Sequence, residues 1–133
     1  MKIKQVILDT SFLLAIAQMR GVSLHQIKER FPRAKLITVS QVLEELKRLK
    51  GKRPGVSVAM EVLKGVEVIR VNGYDNADDA ILSLSQDLEE VAVVTFDLNL
   101  RKRLVKLGIP VIYLRSKKKL LIDHPAGSYE EPL

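Results

Sequence analysis

Short apolar runs alternate with amphipathic stretches along most of the chain. Residues 3–8 read as a buried strand, broken only at Lys4, that ends at a lone carboxylate, Asp9. Thr10 or Ser11 can cap a helix over residues 12–19, which Gly21 ends. Ser23 caps a short helix through Arg30, closed by Phe31-Pro32. Residues 36–39 form a second strand. The helix expected over 40–50 carries Val42, Leu43, Leu46 and Leu49 on one face. A basic turn over 51–55 precedes a helix over 56–64, and residues 66–71 give a third strand. After the Asn72-Gly73 turn, residues 76–88 place Ala77, Ala80, Ile81, Leu84 and Leu88 at helical spacing. A fourth strand over 91–95 is followed by a helix over 98–107, its leucines inward and its basic residues outward. Gly108 caps that helix, and Pro110 leads a fifth strand over 111–114.

Strands alternating with helices imply an α/β fold, a three-layer α/β/α sandwich around a parallel five-stranded sheet. Residues 1–115 read as one domain. Residues 116–133 change character, with a basic triplet and two prolines, and read as an extended C-terminal tail. The 133 residues suffice for a real core. The absence of cysteine excludes disulfides, thiolate metal sites and a cysteine nucleophile. The start lacks a signal-peptide core, and no apolar run approaches the ~20 residues of a membrane span. A cytoplasmic protein without a membrane partner is expected.

Charge adds a spatial pattern to this frame. The net charge is +6, and residues 98–119 hold eight Lys/Arg and no acid. Residues 46–55 hold five Lys/Arg and no acid, whereas residues 74–90 hold six acids and no base. A basic surface around an acidic centre suits a polyanion gripped through its phosphates. A merely solvated lysine-rich surface explains the totals equally well.

The acids can be ranked by helical geometry at ~100° per residue. Glu45 lies at the edge of its helix's apolar face, and Glu44 points nearly opposite. Asp78 flanks the apolar face of its helix, and Asp79 points away. Asp97 follows strand four much as Asp9 follows strand one, so both belong at the same sheet edge. Taken singly, each acid has an ordinary explanation. Asp97 can cap a helix, Asp78 and Asp79 can stabilise a helix dipole, and Glu45 can pair with Arg48. Asp9 resists such an explanation best, because an unpaired charge at the end of an apolar strand is expensive. Gathered acids repel unless a cation neutralises them, and an all-oxygen set suits Mg2+ or Mn2+. One or two such ions can activate a water and stabilise the leaving oxygen of a phosphodiester. Ser11 and Thr95, each two residues from an acid, could hold a carboxylate in place. Helix capping and strand propensity are their plainer roles.

The stretches VILDTSFLL, VSQVLEELKRL, NADDAILSLS and VVTFDLNLRKRL, in this order, resemble the PIN domain family over residues 3–114. The resemblance implies metal-dependent cleavage of RNA to a 3′-hydroxyl and a 5′-phosphate. Carried over residue by residue, it implies catalytic and metal-binding roles for Asp9, Glu45, Asp78 and Asp97, with Asp79 as an auxiliary ligand. Many members have a further acid where this chain has Asn99, which leaves Asn99 beside Ser11 and Thr95 as a supporting group. Lys47, Arg48, Lys52, Arg53, Arg101, Lys102, Arg103, Arg115, Lys117, Lys118 and Lys119 would position the RNA backbone. The basic turn and the C-terminal segment look closest to the small-subunit rRNA-processing branch, with precursor rRNA as substrate. VapC-type toxins, which imply an antitoxin partner, are the second choice, and a homodimer is common in the family.

Two rivals stand beside this reading. One is a PIN fold that binds RNA as a scaffold and cuts little. The other is a receiver or haloacid-dehalogenase-like phosphoryl-transfer domain. The phosphatase pattern wants a second Asp where this chain has Ser11, and the receiver wants paired acids near its start.

Overall fold

The computed structural model describes residues 2–19, 21–116, 119–124 and 129–133. The elements run β1 (Gln5–Leu8), α1 (Thr10–Gln18), α2 (Leu24–Arg30), β2 (Lys35–Val39), α3 (Ser40–Leu49), α4 (Val56–Leu63) and β3 (Glu67–Ile69). They continue with α5 (Ala77–Asp87), β4 (Val91–Val94), α6 (Leu98–Lys106), β5 (Val111–Ser116), β6 (Lys119–His124) and β7 (Tyr129–Pro132).

The strands form a single sheet in the order β3-β2-β1-β4-β5-β6-β7. The five strands from β3 to β5 are parallel, as the alternating pattern requires. All four residues of β4 and the last three of β1 are buried. Successive strand residues point to opposite faces, so continuous burial means that helices cover both faces. The sheet is larger than the five strands expected, because β6 and β7 extend it antiparallel beyond β5. Only two residues separate β5 from β6, too few for a parallel crossover, so the chain must fold back on itself. Leu120, Leu121 and Ile122 are buried there.

β1 lies between β2 and β4, where the strand order reverses. That reversal opens a crevice at the carboxyl ends of β1 and β4, the usual binding place in an open α/β sheet. At the end of β1 the helix cap differs from expectation. Asp9, and neither Thr10 nor Ser11, occupies the N-cap of α1, without a side-chain capping bond to the amides deeper in the helix. Its carboxylate is engaged elsewhere, as shown below.

Two contacts fix the loops around the crevice. Gln18 Nε2 donates to the Pro54 carbonyl at 2.9 Å, which locks the basic turn onto α1. Gly55 makes this close approach feasible. Its φ is +86°, and a Cβ there would meet Ala17 Cβ at 3.0 Å. On the other side, buried Gln41 donates to the carbonyls of Val71 and Tyr74 at 2.6 and 3.0 Å. Its own Oε1 accepts from Ser40 Oγ, which also accepts from the Val71 amide. This clamp sets the path of the segment that leads into α5.

Gln41→Ala leaves two loop carbonyls without their donor, so a loss of about 1–3 kcal/mol is expected in urea titration. Faster amide exchange confined to residues 71–79 should accompany it. An unchanged midpoint with unchanged exchange would mean that the clamp is inconsequential.

Candidate active site

β1 delivers Asp9 to the crevice only 4% exposed. Its Oδ2 accepts from Thr95 Oγ1 at 2.6 Å and from Ser11 Oγ at 2.9 Å. Each hydroxyl has one proton, and both are directed at Asp9. The 3.3 Å approach between the two hydroxyls is therefore a contact without a proton of its own. The hydroxyls are themselves held by backbone. Ser11 Oγ accepts from the Phe96 amide at 2.9 Å, and Thr95 Oγ1 accepts from the Asp97 amide at 3.1 Å. Two peptide N–H groups after β4 thus polarise two hydroxyls toward one buried oxygen of β1. Burial pushes the Asp9 carboxyl above its ordinary value. The bonds from Thr95 and Ser11 and the Thr10 amide pull it back, and the Glu45 charge adds to the rise.

The other acids come from three helices. Glu45, on α3, is half-buried and accepts from Thr10 Oγ1 at 3.3 Å, whereas Glu44 is exposed. Asp78 opens α5. Burial first, then the charges of Asp9 and Asp97, push its carboxyl upward against the opposing pull of Arg103. Asp79 faces a different neighbour. It accepts from Arg103 at 3.0 Å and from the Asn76 side-chain amide at 3.1 Å, and these bonds hold its carboxyl low. Asp97 is the N-cap of α6, with Oδ1 accepting from the amides of Asn99 and Leu100 at 2.8 and 3.1 Å. That is the ordinary capping role, and it uses one of two carboxylate oxygens.

The four acids expected from the sequence therefore feel one another's charge at one sheet edge. Asp9 is coupled to Glu45 and Asp78, and Asp78 to Asp97. No three acidic or histidine side chains among the described residues lie close enough to hold an ion by themselves. Asn99 is exposed and meets Asp97 through its backbone amide.

The basic residues divide. Lys47, Arg48, Lys52, Arg53, Lys102, Arg103, Arg115 and Lys119 are exposed, although Arg103 is tied to Asp79. Lys117 and Lys118 lie outside the described residues. Arg101 departs from the expectation of an outward helix face. Its guanidinium lies 3.4 Å from the Tyr113 ring centroid and pairs with Asp123 at 3.3 Å, with the side chain only 22% exposed. It joins α6 to β5 and β6. A cation on the face of an aromatic ring is attracted by the ring quadrupole, which favours this inward position.

Two supporting residues escaped the sequence reading. Thr10 counted there as a helix cap, and its hydroxyl instead holds Glu45. Gln41, which the sequence pattern gives no role, clamps the loop before Asp78. Adjacent hydroxyls after an acid are a usable signal for the first; nothing local marks the second.

Comparison with known proteins adds three findings. A family model described as "PIN like domain" matches residues 6–117. Ribonuclease VapC4 of Methanocaldococcus jannaschii is 29% identical over 122 residues, spanning 86% of this chain and 92% of the relative. The solved structure of the PIN domain endonuclease Utp24 superposes with a TM-score of 0.75 at 24% identity, covering 90% of this chain and 91% of that one.

Two substitutions test the Asp9 environment in metal-free buffer. Folding raises the Asp9 pKa, so the folded state holds its proton more tightly than the unfolded chain does. The charge then costs stability as pH rises from 3.8 through the folded value, and the full cost is present above that. Asp9→Asn should therefore melt higher than wild type at neutral pH. The gain should vanish below the unfolded value, and thermal melts at several pH values read it directly. Thr95→Val removes the shortest bond to the buried carboxylate and should lose about 1–3 kcal/mol at neutral pH. Equal melting of all three proteins at neutral pH would contradict the assignment.

Proposed function

The chain belongs to the PIN-like domain family, and from that premise we propose that it is a Mg2+- or Mn2+-dependent endoribonuclease. The observation that supports this best is the meeting of Asp9, Glu45, Asp78 and Asp97, drawn from four separate elements, at the β1–β4 crevice. Their chemistry fits a hard cation: all donors are oxygen, and Asp9 and Asp78 each resist carrying their charge alone. Mg2+ keeps several of its waters, which suits acids spaced too widely to enclose an ion by themselves. When bound, the ion would supply water activation and stabilisation of the leaving oxygen.

The protein's own part is positioning. Ser11 and Thr95 fix the Asp9 carboxylate in one orientation, so it needs no reordering when substrate arrives. Thr10 does the same for Glu45. The α6 amides hold one oxygen of Asp97 and leave the other to the crevice. Asp79, neutralised by Arg103, stands at the edge as an auxiliary ligand only if that pair opens. Exposed Lys47, Arg48, Lys52, Arg53 and Lys102 flank the acids in sequence and would carry phosphates, supplying affinity with little base choice.

The biological role we favour is rRNA processing or ribosome assembly in the cytoplasm. The basic turn after α3 and the basic C-terminal segment, through their resemblance to the rRNA-processing branch, support it. The identity with Ribonuclease VapC4 favours a second role, a toxin ribonuclease held by an antitoxin. A small antitoxin-like frame beside the gene would select the toxin role; ribosome-related neighbours would select processing. No helix among the described residues is long and apolar enough to cross a membrane.

Cleavage of a structured RNA with Mn2+ tests the activity. Wild type should cut, and Asp9→Asn should be slower by about 100-fold or more, since several kcal/mol of charge stabilisation is lost. Mg2+ should raise the melting temperature of wild type and leave Asp9→Asn nearly unmoved. Equal cleavage by both would place any nuclease activity outside this site. Binding with steep salt dependence but no cleavage by either would establish a scaffold instead.

A further inference from the structure

Beside the acids lies a second feature that the reaction chemistry does not use. A cavity of about 180 Å3 opens at the carboxyl ends of β4 and β5. Asp97 forms its boundary with the acidic site. Thr95, the donor to Asp9, also borders it on that side, and its remaining walls are Phe96, Leu98, Arg101, Tyr113 and Leu114. Leu98 stands at its edge 55% exposed, one of the few large apolar side chains left in water. The chain has only three Phe and three Tyr, and two of those six line this one cavity. Phe96 is braced edge-on by buried Phe12 at a ring separation of 5.7 Å. The Tyr113 face is occupied by the Arg101 guanidinium, which Asp123 holds in place. The cavity thus joins an apolar side (Phe96, Leu98, Leu114) to a guanidinium plane held by Tyr113 and Asp123, with Thr95 and Asp97 on the side of the acids.

We infer that this cavity receives one unpaired nucleobase of the RNA, the base next to the phosphodiester held at Asp9 and Asp97. The inference rests on the nuclease reading for the position of that phosphate. Its size admits a single planar base and excludes a base pair. Aromatic and guanidinium planes stack on bases of any identity, and the guanidinium edge can donate to base acceptors. Phosphate at the acids and base in the cavity are one nucleotide unit apart because Asp97 belongs to both. A duplex cannot enter without its base flipping out, so the cavity confers a preference for unpaired positions at the cut.

The probes are the four nucleoside 5′-monophosphates, ribose 5-phosphate as the base-free control, and a short single-stranded oligoribonucleotide. Each is titrated with Mg2+ into the protein carrying 13C-labelled leucine methyls. The monophosphates should move the Leu98 and Leu114 signals and bind about fivefold or more tighter than ribose 5-phosphate, the scale of one stacked base. The oligoribonucleotide should move the same signals at lower concentration. Leu98→Ala, a change at an exposed position, should weaken the monophosphates about threefold and leave ribose 5-phosphate unchanged. Equal behaviour of monophosphates and ribose 5-phosphate, or still methyls, overturns the inference. Monophosphate shifts without oligoribonucleotide shifts also overturn it, and make this a free-nucleotide site. These readings need no cleavage. Base binding in a protein that cuts no RNA would sink the nuclease reading alone, and cleavage with still methyls would sink the cavity alone.

Discussion

A carboxylate almost sealed from water at the end of the central strand is the constraint that the rest of the site obeys. Water cannot solvate Asp9, so protein groups must. One is near and one distant in the chain: Ser11 beside it and Thr95 just past β4, each hydroxyl anchored by an amide of the segment that follows β4. The same bonds that make the charge tolerable hold β1 and the start of α6 at fixed distance. Structure and chemistry therefore depend on one small hydrogen-bond relay.

The surrounding acids show how a fold can keep several negative charges together. The compensation is local and unequal. Asp97 receives two helix amides, Glu45 a hydroxyl, and Asp79 the Arg103 guanidinium and the Asn76 side-chain amide. Asp78 has the least help and bears the charges of three neighbours, Asp9, Asp97 and Asp79. The gradient runs from the neutralised Asp79 at the rim to the strained Asp9 and Asp78 within. A cation bound among them would relieve the inner pair most.

Much of this was legible in the sequence. Strand and helix periods placed all eleven elements from β1 to β5 within a few residues, because buried parallel strands and amphipathic helices leave strong local patterns. Helical angle separated Glu45 from Glu44, which is a property of one helix alone. It could only suggest the difference between Asp78 and Asp79, since Arg103 on another helix completes it. Arg101 was misplaced for the same reason: its partners Tyr113 and Asp123 lie 12 and 22 residues away, and a basic side chain on a helix reads as surface. The two added strands were hidden by their prolines and charges, although the short spacing after β5 was a hairpin signal.

β1 owes its position to strands made long after it. Asp9 and Thr95 are 86 residues apart in the chain and bonded in the fold. Nothing made before β4 can supply the hydroxyl or the two amides on which the Asp9 environment rests. A nascent or truncated chain that stops short of residue 97 thus carries the first acid without its setting. The site is the product of long-range closure, a late and comparatively slow event in folding. For a protein whose surface favours RNA, this means that grip on a polyanion can precede the ability to act on it.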